Sequence, residues 1–103
     1  MNTAALTCIV VALLAAPAHA FTYAGTGTAS CGEWTSERRN PYGGAGQQWV
    51  LGFLAGAADY GGPDAFDGTD AEGVWAWIDR YCWQNPTDKL LTAAEAFVRA
   101  RRR

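Results

Sequence analysis

The stretch at 68–82, GTDAEGVWAWIDRYC, narrows the possible folds of this chain more than any other, because it reads as an amphipathic helix with a marked start and stop. Thr69 and Glu72 have the spacing of a capping box, in which each side chain satisfies a backbone N–H at the helix start, so a helix is expected from near Asp70. Stepping about 100° per residue gathers Val74, Trp75, Trp77, Ile78, Tyr81 and Cys82 on one arc and leaves Glu72, Ala76, Asp79, Arg80 and Trp83 opposite. The apolar arc has to be covered by other helices. Asn85 and Pro86 end the run, since the residue before proline disfavours helical backbone. Asn85 is expected to cap a last helix with Pro86 in its first position.

At the other end, residues 4–16 form an apolar run too short for a bilayer, followed by Pro17 and Ala18-His19-Ala20. This reads as an export signal cleaved after Ala20; the alternative is a retained anchor, since MNTAALT lacks Lys and Arg. Residues 21–103 then carry every charged side chain, 8 basic and 10 acidic, with two cysteines, Cys31 and Cys82. An even cysteine count in an exported chain favours one disulfide, whereas a retained, reducing location would leave two structural thiols. A domain this small gains most from such a staple.

Residues 21–29, FTYAGTGTA, have no helical period and are read as a flexible leader ahead of a single domain at 30–103. Ser30 and Glu33 repeat the capping-box spacing and start a helix expected to end near Asn40, before a hinge at 41–46, PYGGAG. From about Gln47 to Tyr60, Trp49, Phe53 and Tyr60 lie on one side, while Val50, Leu51, Leu54 and Ala58 extend apolar surface around most of the helix. Such a helix is expected to be central, or shared with a second protomer, with Gly52 and Gly56 admitting a close backbone. The last helix, about 86–101, places Leu90, Leu91, Ala94, Phe97 and Val98 on one face, with Arg101 to Arg103 at the negative end of its dipole. The expected fold is all-α, a small bundle of about four helices with Cys31 on the first and Cys82 on the third.

Chemistry is sparse. No histidine follows residue 20, which removes Ser-His and Cys-His pairs, and two cysteines alone cannot close a zinc shell. Asp64, Asp67, Asp70 and Glu72 crowd one loop, but their spacing does not match a calcium loop. A solvated turn ahead of a helix dipole is the plainer reading. No enzyme, cofactor or metal is expected. A net charge of −2 gives no broad basic face for nucleic acid.

Together, Cys31 with Trp34, WVLGFLAG at 49–56, GTDAEGVWAWIDRYC at 68–82 and NP at 85–86 resemble the HdeA/HdeB family of small periplasmic proteins. That resemblance implies a disulfide between Cys31 and Cys82, a dimer at neutral pH, and an acid-stress chaperone that loosens to bind unfolding periplasmic proteins. A looser resemblance, through GFLAG at 52–56 and the NP start of the last helix, is to immunity proteins that neutralise amidase toxins of type VI secretion. It implies a partner-binding loop, for which GPDAFDGTD at 62–70 is the candidate; an exported structural domain is the remaining reading. Under the chaperone reading, neutralising the ten carboxylates takes the chain from −2 to +8 and repulsion favours opening. Glu33, Asp70 and Glu72 are the expected pH-sensing groups. Trp49, Phe53, Trp75 and Trp77 are the expected client surface, and Trp83, on the polar side of its helix, is the expected partner contact.

Overall fold

Ser30 turns extended backbone into the first helix, α1 (Cys31–Arg38), by accepting the Glu33 N–H on its hydroxyl at 3.1 Å. The two amides ahead of Glu33 find carbonyls much further along the chain, Cys31 on Asp88 at 2.7 Å and Gly32 on Pro86 at 3.0 Å. The open end of α1 is thereby docked onto the turn that precedes the last helix. Glu37 performs a second long-range cap, its Oε1 accepting the N–H groups of Gly44 at 3.1 Å and Gly46 at 3.0 Å. A carboxylate is thus fixed at the positive end of α2 (Ala45–Asp59), which has no side-chain cap of its own.

The computed structural model describes residues 23–41 and 44–102. Beyond α1 and α2 it contains α3 (Ala71–Gln84), α4 (Leu90–Arg101) and a 3-10 turn, Gly25–Thr28. The fold is an all-α bundle of four helices. A disulfide joins Cys31 of α1 to Cys82 of α3 across a Cα–Cα distance of 4.7 Å. Around it the core collects Trp34 from α1, Val50 and Leu54 from α2, and Val74 and Ile78 from α3. Leu90, Ala93 and Phe97 of α4 complete it, with Ala65 reaching in from the 62–70 loop. The apolar arc expected for α3 is therefore the one that is buried. None of the described helices is long and apolar enough to cross a membrane.

Several local expectations are corrected. The cap of α3 is Asp70, whose Oδ1 accepts the Gly73 N–H at 2.9 Å, and not the box of Thr69 with Glu72. A carboxylate one residue further on competes better for the helix N–H groups than the Thr69 hydroxyl. Asn85 and Pro86 do not start α4. The Pro86 and Asp88 carbonyls face the amides of α1, so the chain stays in a turn until Lys89. Gly44, Ala45 and Gly46, expected in a hinge, are the capped start of α2.

α2 is also not covered all round. Ala45, Gln48, Gly52, Ala55 and Asp59 form an open stripe, and a Cβ placed on Gly52 or Gly56 would meet nothing. In this chain the two glycines admit no second backbone. Tyr60 lies past the helix end and is 92% exposed rather than packed beside Trp49. The signal at 1–20, the first two residues of the leader, Tyr42 and Gly43 of the hinge, and Arg103 lie outside the described residues.

Within 21–29 the described part is no free leader, because its 3-10 turn packs on α2. A Cβ on buried Gly27 would sit 2.1 Å from Cζ2 of the Trp49 indole, closer than any real contact. Gly27→Ala is therefore expected to push that ring aside and cost about 1–2 kcal/mol by overpacking. Urea titration followed by tryptophan fluorescence checks this, and an unchanged midpoint and spectrum would show that the turn does not hold Trp49.

Candidate functional site

Asp79 organises the most connected polar group among the described residues. From the polar side of α3 its Oδ1 accepts the indole N–H of Trp34 at 2.8 Å, and both carboxylate oxygens accept from the Arg38 guanidinium at 2.9–3.2 Å. Trp34 is 2% exposed, whereas the Arg38 and Asp79 side chains keep 26% and 40% of their surface. The indole is thus the buried member of the group and the ion pair its wet edge. Arg38 also lies over the rings of Trp34 and Trp75, at 5.8 and 5.7 Å from the centroids. Hydrogen bonding to Asp79, and then the charge of that carboxylate, hold the guanidinium above its ordinary pKa against the opposing effect of burial. One carboxylate therefore joins α1 to α3 beside the disulfide.

The five aromatic residues expected to bind partners do not form one patch. Trp75 belongs to the Asp79 group through Arg38 and donates its own N–H to the Gln47 carbonyl of α2 at 3.1 Å. Trp49 and Phe53 stack on α2 with centroids 5.3 Å apart, and Trp49 covers the 3-10 turn. Trp77 fills a different region, stacked on Tyr81 at 5.8 Å and edge-on to Phe97 at 5.2 Å. These four are half-buried rings packed against the core. Trp83 is different: it is 75% exposed, and α4 does not cover it.

The expected pH-sensing groups are scattered too. Asp70 is the cap of α3, while Glu33 and Glu72 are exposed at the starts of α1 and α3, Glu72 acting on Arg38 only through its charge. The sequence reading missed Trp34, Arg38 and Asp79 as a unit. A hint was present in Asp79 and Arg38, opposite charges on two helices that a disulfide would bring together. In the 62–70 loop, Asp64 accepts the Phe66 N–H at 3.0 Å and Arg101 donates to the Asp67 carbonyl, so local backbone contacts occupy part of the acidic cluster. No three His, Cys, Asp or Glu side chains among the described residues are arranged to hold a metal.

A second polar contact, two residues further along α3, ties that helix to the turn before α4. The Tyr81 hydroxyl donates to Asp88 at 2.6 Å, and this hydrogen bond, aided by burial, raises the phenol pKa above its ordinary 10.0. The folded state holds that proton more tightly than the unfolded chain. The contribution is complete below pH 10.0 and is lost as pH rises through the raised folded value. Stability is expected to fall above that point in the native protein and less steeply in Tyr81→Phe, as followed by chemical denaturation across the alkaline range. Parallel pH profiles would contradict the assignment.

Compared with family models, curated proteins and solved structures, this chain matches none of them.

Proposed function

We propose that this chain is a small exported, non-enzymatic helical protein that acts in the periplasm as an acid-triggered chaperone, as its resemblance to the HdeA/HdeB family implies. The observation that carries this reading is the placement of the Asp79 group beside the staple. Below the ordinary carboxylate range near pH 4, Asp and Glu side chains in general become neutral, carboxylate–arginine pairs weaken, and the ten lost negative charges leave residues 21–103 at +8. Repulsion then acts on a fold whose α1–α3 contact has just been weakened, while the Cys31–Cys82 bond keeps those helices tied. Such a chain opens without dispersing. Trp34 and Trp75, which lie under Arg38 in the closed state, and the stacked Trp49 and Phe53 then supply apolar surface for unfolding proteins.

The test is light scattering of an acid-sensitive client taken to about pH 2, a pH at which carboxylates are neutral, and back to neutral, with and without the oxidised protein. Suppressed aggregation in acid, absent at neutral pH, is the expected result. Equal aggregation with and without the protein at both pH values would sink the reading.

A second reading, an immunity protein blocking a secreted amidase, is favoured by one feature. The 62–70 loop is held in shape by buried Ala65 and the Asp64–Phe66 turn, and it presents Asp64 and Asp67 outward. Inhibition of a cell-wall amidase by the neutral protein, lost on replacing that loop, would favour this reading over the first.

A further inference from the structure

The outer surface of the α1–α3 pair carries a continuous groove that neither the core nor the Asp79 group uses up. Small residues line it: Thr35 of α1 with Ala76 of α3 in one half, and Gly32, Thr35 and Ser36 of α1 beside Cys82 and Trp83 in the other. Each helix supplies a stripe at the i, i+3, i+4, i+7 spacing that marks one helical face. The stripe of α1 ends at Arg39, and that of α3 runs through Arg80 to Trp83. All three of these end residues are exposed, and among the described residues neither arginine side chain has a hydrogen bond, ion pair or ring contact. Asp79, the acidic group lining the groove, is already engaged by Arg38 and Trp34. In a chain with a net charge of −2, this groove therefore offers two unpaired cations and a bare indole.

We propose that the groove is a docking site, in the native state at neutral pH, for an acidic polypeptide segment of a partner protein. Arg39 and Arg80 receive its carboxylates through their planar N–H forks, and Trp83 receives an apolar or aromatic side chain between them. Charge complementarity selects this occupant. Two free arginines beside an acidic residue do not match a nucleic-acid backbone, which engages many cations at once. The disulfide gives the site its rigidity, because Cys82 lines the groove next to Trp83 and is bonded to α1. Binding here needs no opening of the fold, so the proposal does not depend on the chaperone reading.

The experiment is fluorescence anisotropy of a short fluorescein-labelled peptide of alternating glutamate and phenylalanine, titrated with the oxidised protein at neutral pH. The comparison is the same peptide with glutamine replacing glutamate. The acidic peptide is expected to bind, and the glutamine peptide to bind about tenfold or more weakly. Trp83→Ala, and Arg39→Gln combined with Arg80→Gln, are each expected to weaken binding about tenfold. All three side chains are exposed, so unchanged circular dichroism should confirm that the variants fold. A shift of the Trp83 indole resonance on adding peptide gives an independent reading of position. Absence of binding, equal affinity for the two peptides, undiminished binding by the variants, or displacement by anionic phospholipid vesicles or a single-stranded oligonucleotide as effective as by unlabelled peptide would each overturn the proposal.

Discussion

Removing the staple with Cys31→Ala and Cys82→Ala together is expected to cost about 4 kcal/mol, the loop-closure entropy of a 51-residue separation. Domains of this kind have total stabilities of roughly 5–15 kcal/mol, so the loss is a large share of the whole. Most of it acts on the unfolded chain, which regains the freedom the crosslink removes. A smaller part comes from the core, since both cysteines are fully buried beside Trp34 and Ile78. Urea titration of the oxidised protein, the reduced protein and the double variant separates the contributions: reduction reports the crosslink, and the difference between reduced protein and variant reports the lost sulfur packing. The docking of the α1 amides on Pro86 and Asp88 involves no sulfur atom and is expected to persist in all three. A loss below about 1 kcal/mol on reduction would mean that the unfolded chain is already restricted without the bond, and would contradict the loop-closure account.

The second large effect is expected at Asp79, and its size depends on which partner is left behind. The Arg38 pair is half solvent-exposed and is worth about 1 kcal/mol at most. The Trp34 indole is buried, and deprived of its acceptor its N–H pays a desolvation cost of about 1–3 kcal/mol. Asp79→Ala removes both and is expected to cost about 2–3 kcal/mol. Asp79→Asn keeps an oxygen for the indole and loses only the charge, so about 1 kcal/mol is expected. Arg38→Gln should resemble Asp79→Asn. Denaturation midpoints of the three variants check the order; an Arg38→Gln loss equal to that of Asp79→Ala would show that the ion pair, not the indole, holds the contact.

These two contacts mark how far the chain could be read from its sequence. The disulfide was accessible as the even pair that remains once residues 1–20 are read as an export signal, and the buried arc of α3 follows from spacing alone, with Val74, Ile78 and Cys82 inside. What escaped were the polar contacts made across the chain. The Glu37 cap on α2, the Pro86 and Asp88 carbonyls on α1, and Asp79 on Trp34 join residues from 7 to 57 positions apart. No local pattern encodes such pairings. They explain the local errors as well: Pro86 looks like a helix start until its carbonyl is claimed by Gly32, and the 21–29 segment looks unstructured until Gly27 meets Trp49. The expected partner-binding rings are divided among separate regions of the closed fold, which tryptophan content could not show: it tells which rings exist, not which of them the core absorbs. Only Trp83, placed by periodicity on the polar side of α3, is exposed where that reading put it.

The central claim, an acid-driven opening around an intact staple, is tested most directly by near-UV and far-UV circular dichroism with dye binding on the oxidised protein, from neutral pH to about pH 2, where its carboxylates are neutral. The account predicts that the near-UV signal of the packed tryptophans collapses and a hydrophobic dye binds, while most of the helical far-UV signal remains. A near-UV spectrum unchanged at the acid end, with no dye bound, would contradict it.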